Sequence, residues 1–459
     1  MSKTLAQRRS GNVTTVGQGL IVGVGIALTA AYVGALMYLM PRTTYDTWGA
    51  LFVGPLLLVA TLPLLVREAR REGEAWIFWL LLAALVLKLF GALLRAYVVS
   101  DVYGGEGDSL LYHSEGTRIA AGFWDGDYDT GLETLSDTDF IYFLTGVIYS
   151  ATGPTFLGGF LVYSWLGFLG LFFFYRAFKV AVPDGRRSSY ALLLFFLPSL
   201  VFWPSGIGKE AWMVFALGLA AYGGARAMSG ALMRGIPVAA FGLWLCWVVR
   251  PHVAGLVAVA LVVGFAVGRV PRKEFGRLLK VFSIVVAIVV AGVMIREAKE
   301  FLSDSGIESF GGFGVTLTQT SERTGKGGSE FDPVIVETPL DFPAAALTVL
   351  FRPLPTEAGN TQALIASLEG TFLLILALVR FRWIVAAFLS VRKSAYVAFA
   401  FVFVGMFIVA YSSIANFGLL ARQRVQVLPI MLVLLCIPPK AERPEGTETA
   451  TGDETDRRT

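Results

Sequence analysis

Long apolar runs dominate this chain and constrain its fold more than any other feature. Many of them reach roughly 17 residues or more, the length that an α-helix needs to cross the hydrocarbon core of a bilayer. Only 16% of the 459 residues are charged, well below the share of about 25% in soluble domains. The sequence therefore predicts an all-α polytopic integral membrane protein. About twelve membrane-spanning helices are predicted, near residues 17–40, 47–66, 76–99, 155–177, 188–203, 210–228, 235–249, 253–268, 279–296, 363–380, 395–414 and 424–438.

The distribution of basic residues orients these helices. With both termini in the cytoplasm, every predicted inner loop carries Arg or Lys, as the positive-inside rule requires. The loop 101–139 is acidic and has Arg118 as its only Arg or Lys, so it is predicted to lie outside. Residues 140–153 are apolar but short, and a full crossing would move the basic loop after 176 outside. We therefore expect this stretch to be re-entrant or to lie at the interface of a bacterial cytoplasmic (inner) membrane.

The domain organisation is predicted to be simple. Residues 1–438 form a single transmembrane domain with two sizeable outer loops, at about 100–139 and 297–362. The tail 439–459 has almost no apolar residues and is predicted to be a disordered cytoplasmic segment. The first apolar run is full length and is expected to be a retained helix, since a cleaved signal peptide has a shorter one. The net charge of +4 does not suggest a nucleic-acid partner.

Polar residues that interrupt the apolar runs fall at the predicted outer ends of the helices. They lie in GEGDSLLYHSEG (105–116), WPSGIGKEAW (203–212), VVRPHVAG, FRPLPTEAGN (351–360) and ANFGLLARQRVQ. A charge at membrane depth is costly, so it should face a protein cavity or water. The candidate site residues are Asp108, His113, Glu115, Lys209, Glu210, Arg250, His252, Arg352, Glu357, Arg422 and Arg424.

Each of these signals also has an ordinary structural explanation. Lys209 and Glu210 are adjacent and could form a simple ion pair at a helix end, where Glu suits the N-terminus. Arg250 could extend to the lipid headgroups. Arg422 and Arg424 are two residues apart, so on a helix they point to nearly opposite faces and one of them could be structural. What favours a functional site is that all these residues are predicted to lie on the same side of the membrane.

Two further polar features are weaker signals. Lys88 and Arg95 lie on one face of the third predicted helix, and each could pair with a buried carboxylate or line a cavity. The acidic run DGDYDTGLE (125–133) alternates as a calcium loop does, but its glycine and final Glu are misplaced, which favours a solvated loop. No cofactor is predicted, and the requirement for a divalent metal stays open.

The cationic side chains at the outer face suggest an anionic ligand. Arginine binds phosphate oxygens through a planar fork and keeps its charge at membrane depth. A lipid phosphate or diphosphate in the outer leaflet would lie at this level, and neighbouring carboxylates could act as a general base for a hydroxyl acceptor. Together these features predict glycosyl transfer from a polyprenyl-(di)phosphate carrier, a lipid-linked sugar donor, to a glycan or lipid acceptor.

The order of these parts resembles that of bacterial GT-C type membrane glycosyltransferases and the related O-antigen or exopolysaccharide repeat-unit polymerases. The resemblance covers most of the chain by layout, and the motifs GDSLLYH, LTGVIYSATGPTF, LPSLVFWPSGIGKEAW, FRPLPTEAGN and LLARQR carry it. It implies that Asp108 is the base and that Lys209, Arg250, Arg352 and Arg424 bind the carrier phosphates. Two departures, an acidic Asp-x-Asp pair only at 125–129 and no C-terminal soluble domain, leave metal use and a protein acceptor in doubt.

The main alternative is a transporter or flippase of lipid-linked glycans. Such a protein should show internal repeats and polar groups near the membrane midplane that are reachable from both sides. The sequence has no recognisable repeat, and its polar residues favour one face. These observations favour an enzyme, with a receptor, an assembly scaffold or an acyltransferase as less favoured readings.

Overall fold

The computed structural model describes residues 25–27, 29–105, 107–269, 329–439 and 442. These residues form helices and no strand; an isolated antiparallel bridge joins Glu330 to Asn416. Helical residues 29–39 precede the first complete helix. The helices that follow are α1 (Tyr45–Glu72), α2 (Ala75–Tyr97), α3 (Asp108–Trp124), α4 (Asp137–Thr152), α5 (Phe156–Ala181), α6 (Arg187–Phe196), α7 (Pro198–Phe202), α8 (Lys209–Met228), α9 (Leu232–Val249), α10 (Pro251–Val267), α11 (Phe342–Phe351), α12 (Thr361–Val379), α13 (Phe381–Leu389), α14 (Ala395–Tyr411), α15 (Phe417–Arg424) and α16 (Leu428–Leu434).

The all-helical class is confirmed for this part of the chain, but the predicted number of spans is not. Within the described ranges, five helices are long and apolar enough to cross a membrane: α1, α2 with its extension to Val102, α5, α9 and α12. The pairs α6–α7 and α15–α16 are bent by 57° and 66°, and counting each pair as one span gives up to seven. The helices at 253–268 and 395–414 are apolar but have only 17 residues each. The predicted span at 279–296 lies outside the described residues.

The predicted outer loops contain helices. Within 100–139, α3 forms because its buried residues recur at helical spacing: Ser109, Tyr112, Gly116, Ile119 and Ala120. This helix packs against α4. The stretch 140–153, expected to be re-entrant or interfacial, lies almost entirely in α4, one continuous helix of 16 residues. The second predicted loop, 297–362, is described only from residue 329 and contains α11. The tail beyond 439 lies outside the described residues except for 442.

Close backbone packing places α8 at the centre of the bundle. A Cβ atom added at Gly170 of α5 would lie 2.4 Å from the carbonyl oxygen of Val214, and one at Gly218 would lie 2.2 Å from that of Gly170. A Cβ at Gly242 of α9 would lie 2.4 Å from the backbone nitrogen of Ala220. Small residues allow this approach and make α8 less apolar than a typical span. These contacts with α5 and α9 fix the position of α8, and so the position of Glu210 at its start.

Candidate functional site

A cavity of about 420 Å³ lies where the end of α2 meets the starts of α3, α8 and α15. Segments that are far apart in the sequence supply its walls, including Trp203, Gly206 and Ile207 from one segment and Asn416, Gly418 and Leu419 from another. Four charged side chains line it: Arg95, Asp108, Glu210 and Arg422. Folding therefore brings together three of the residues that the sequence predicts for a site and adds Arg95.

Glu210 organises the charges beside the cavity. Its side chain is buried at the start of α8, and its Oε1 lies 3.1 Å from Nη2 of Arg250 and 2.7 Å from Nε of Arg422. A lone buried carboxylate is costly, but two guanidinium groups and the N-terminus of α8 favour its ionised form. Arg250 also donates a hydrogen bond to Gln423. Glu210 therefore fixes the positions of both arginines.

The expected pairing of Lys209 with Glu210 is wrong. Consecutive residues of a helix point in different directions, and the Lys209 Nζ lies 2.6 Å from Oδ1 of Asp137 at the start of α4. The Asp137 side chain is largely exposed. This ion pair joins α8 to α4 and does not line the cavity.

Asp108 is the most accessible carboxylate of the cavity. It is the first residue of α3, and 57% of its side chain is exposed. Its Oδ2 lies 3.2 Å from Nη2 of Arg422, which also contacts Glu210. Asp108 thus has a cation beside it and room for a further partner, which suits a group that accepts a proton from a ligand.

Arg95 is the cavity residue that sequence reasoning left undecided. Its side chain is 8% exposed, and its guanidinium lies 4.8 Å and 4.7 Å from the ring centres of Phe202 and Trp203. Its Nη1 is buried and has no hydrogen-bond partner among the described residues. Buried donors of this kind are nearly always satisfied, so an anion in the cavity would complete the site.

Lys88 lies on the same face of α2 as Arg95, but its role is structural. Its Nζ donates hydrogen bonds to the carbonyl oxygens of Leu200 at 2.7 Å and Val201 at 3.1 Å. It therefore satisfies carbonyl groups at the end of α7, as basic side chains often do at helix C-termini. The sequence spacing cannot separate these two roles, because the difference depends on where α7 packs.

Arg352, Glu357 and Arg424 form a second group away from the cavity. Arg352 Nε lies 2.9 Å from Oε1 of Glu357, and Arg424 Nε donates to the carbonyl oxygen of Val349 at 3.0 Å. Burial alone would raise the pKa of Glu357, but Arg352 and the Leu354 amide hold it below its usual value. These side chains fix the connection between α11 and α12, and the structure does not bring them to the cavity.

The remaining candidates also lie outside the cavity walls. His113 Nδ1 lies 2.7 Å from the Tyr149 hydroxyl between α3 and α4, and burial lowers the pKa of this histidine. Glu115 pairs with Arg118 on the surface at 2.8 Å. His252 is an exposed residue in the first turn of α10. Of the predicted catalytic set, the fold places only Asp108 at the cavity.

No cluster of three or more His, Cys, Asp or Glu side chains that could hold a metal occurs in the described part of the chain. The two cavity carboxylates, Asp108 and Glu210, each have an arginine partner. The arrangement can bind an anion through cationic groups and can accept a proton at Asp108.

Comparisons with protein-family profiles, with curated proteins and with solved structures gave no match. The functional argument therefore rests on the cavity and on the chemistry of its residues.

Proposed function

We propose that this chain is a membrane enzyme that transfers a glycosyl group from a polyprenyl-(di)phosphate donor to a glycan or lipid acceptor. The observation that carries the proposal is Arg95, which lines the cavity and whose buried Nη1 has no hydrogen-bond partner among the described residues. A phosphate oxygen of the donor would accept its hydrogen bond, and charge-assisted bonds of this kind are strong. Polymerisation of a saccharide repeat is one form of the same reaction.

The charges and size of the cavity fit such a donor. In the lining of the cavity Arg95 and Arg422 balance Asp108 and Glu210, and Arg250, which contacts Glu210 from outside the lining, adds one positive charge. The surplus of one positive charge favours an anionic ligand. The volume of about 420 Å³ lies within the usual range for small-molecule sites, about 300–1,000 Å³.

The proposed reaction assigns a role to each group. Asp108 accepts the proton of the acceptor hydroxyl as that oxygen attacks the anomeric carbon of the donor sugar. The bond between the anomeric carbon and the phosphate oxygen breaks, and the carrier phosphate leaves with the electron pair. Arg95 and Arg422 stabilise the charge that develops on the leaving oxygen, while Glu210 holds Arg422 in place.

The setting is a multi-pass membrane protein, with which the apolar helices are compatible. We place the cavity at the outer face of a bacterial cytoplasmic membrane because the predicted inner loops carry the basic residues. The N- and C-termini would then face the cytoplasm. A carrier head group in the outer leaflet would lie level with the cavity.

The test is a mass-spectrometric survey of lipid-linked saccharides in cells that lack this gene. The cells receive wild-type protein, Arg95→Gln or the control Arg382→Gln, which removes an exposed arginine of α13. We expect one polyprenyl-linked saccharide to accumulate without the gene and to disappear with wild type or the control, but not with Arg95→Gln at equal protein level. Full restoration by Arg95→Gln would reject the cavity as the site. An unchanged carrier pool without the gene would reject glycosyl transfer altogether.

A further inference from the structure

The last turns of α1 carry an arginine groove that the proposed function does not use. Arg67, Arg70 and Arg71 are exposed, and together with Pro63 and Val66 they line a groove of about 430 Å³. Residues three and four apart lie on one helix face, so Arg67 stands beside the other two. Their side chains have no hydrogen bond or ion pair with the described residues.

The carboxylates of the same helix turns are already occupied. Glu68 and Glu72 point to the protein, where the Lys179 Nζ lies 2.7 Å from Oε1 of Glu68 and also contacts Glu72. Arg176 and Arg187 complete this network from α5 and α6. The groove arginines are on the other side of α1, outside this network, so they are exposed and open to an anionic ligand.

The length of α1 places this groove at the lipid headgroups. The helix has 28 residues and is therefore about 42 Å long, whereas the hydrocarbon core is only about 30 Å thick. Its apolar run ends at Val66, so the arginines emerge where the phosphate groups lie. Trp76 and Trp79, at the start of α2, are exposed beside this level, and exposed tryptophans are typical of the membrane interface.

We propose that this groove binds the headgroup of an anionic phospholipid. The phosphate diester lies between Arg67, Arg70 and Arg71, and the upper part of an acyl chain contacts Pro63 and Val66. The chemistry that selects the lipid is its net negative charge, since a zwitterionic lipid brings its own cation to the phosphate. The proposal is independent of the reaction at the cavity.

Native mass spectrometry of the purified full chain in detergent tests this site. Dioleoyl phosphatidylglycerol and dioleoyl phosphatidylcholine are added separately at equal concentrations to wild type and to the triple variant Arg67→Gln/Arg70→Gln/Arg71→Gln. We expect wild type to retain the anionic lipid preferentially. Each basic residue near anionic lipid contributes a similar amount of binding free energy. Loss of all three should therefore weaken phosphatidylglycerol binding on the order of 100-fold.

Two further variants separate a site from general charge. Arg382→Gln/Arg392→Gln/Lys393→Gln removes three exposed basic residues elsewhere and should retain the wild-type preference. Arg67→Lys/Arg70→Lys/Arg71→Lys keeps the charge and should retain most of the binding. Unchanged lipid retention in the groove variant, or an equal loss in the control triple, would overturn the proposal.

Discussion

Glu210 beside the cavity and Glu68 near the end of α1 are both buried carboxylates that contact two cations. Glu210 lies between Arg250 and Arg422, and Glu68 lies between Lys179 and Arg176. The two carboxylates lie near opposite ends of α2, a helix of 23 residues. Residue types and burial are therefore similar at both places.

The surroundings of these two carboxylates differ. Around Glu68, the neighbouring Glu72 shares Lys179 and also contacts Arg187, so the charges satisfy one another. Beside Glu210, a cavity is present, Arg95 Nη1 lacks a partner among the described residues and Asp108 is exposed. Charge composition alone does not distinguish a structural cluster from a site. The empty space and the unsatisfied donor make the distinction.

The largest effect is expected at the cavity, from Asp108→Asn. Asparagine keeps the shape but cannot accept a proton, so turnover of the lipid-linked donor should fall by about 10²–10⁴-fold. The unfolding temperature should stay the same, because Asp108 is largely exposed. Turnover by purified protein and thermal unfolding in detergent measure the two quantities. Wild-type turnover of Asp108→Asn would reject Asp108 as the base.

The reverse outcome is expected from Glu68→Ala. This change leaves Arg176 without a carboxylate and Lys179 with Glu72 alone. Because both cations are about a fifth exposed, the loss of stability should stay below the about 3–5 kcal/mol that is typical of breaking a fully buried pair. Turnover per folded molecule should be unchanged. Chemical unfolding of the variant measures the loss, with Glu133→Ala, an exposed acidic residue, as the control. Equal stability of both variants would contradict a structural role for the network.

An intermediate effect is expected from Gly206→Ala, which tests the packing around Arg95. The new Cβ would lie 3.0 Å from the Phe160 ring and 3.3 Å from Nε of Arg95. Overpacking typically costs about 1–3 kcal/mol, and the displaced guanidinium should weaken donor binding. Gly405→Ala is the matched control, since its Cβ would meet nothing within 4 Å. Binding of a polyprenyl phosphate to both variants decides the matter, and equal affinities would argue against a role for Arg95 in binding.

The smallest effect is expected from Lys209→Ala. The sequence suggested that Lys209 binds phosphate, but it pairs with the exposed Asp137 outside the cavity walls. Exposed ion pairs contribute under about 1 kcal/mol, so stability and turnover should both stay close to wild type. A large loss of turnover at normal protein level would contradict this expectation and would place Lys209 in the site.

The sequence predicted the class of fold well and the site in part. Apolar runs indicated membrane helices, and the placement of polar residues at their ends led to Asp108, Glu210 and Arg422. The partner of Glu210 could not be predicted, because it depends on the rotation of α8 against α10 and α15. Arg95 was undecided for the same reason, since Phe202 and Trp203 reach it only after α7 has packed. The resemblance to GT-C glycosyltransferases stays a prediction.

Local signals were also missed within the predicted loops. The periodic spacing of Tyr112, Gly116 and Ile119 marks α3 as a helix, but the acidic character of the loop concealed this pattern. The twelve predicted spans are not confirmed within the described residues: the bends at 197 and 425–427 interrupt two of them, and α10 and α14 have only 17 residues each. Such bends depend on tertiary contacts that no apolar run reveals.

The glycine contacts between α5, α8 and α9 have a mechanical consequence for the cavity. Backbones that touch at Gly170, Gly218 and Gly242 leave no room for sliding, so the wall that carries Glu210 is stiff. The adjoining wall belongs to α15, a helix of only 8 residues that meets α16 at 66°. Any widening that admits a bulky ligand should therefore come from α15, and it would have to lengthen the 2.7 Å ion pair by which Glu210 holds Arg422.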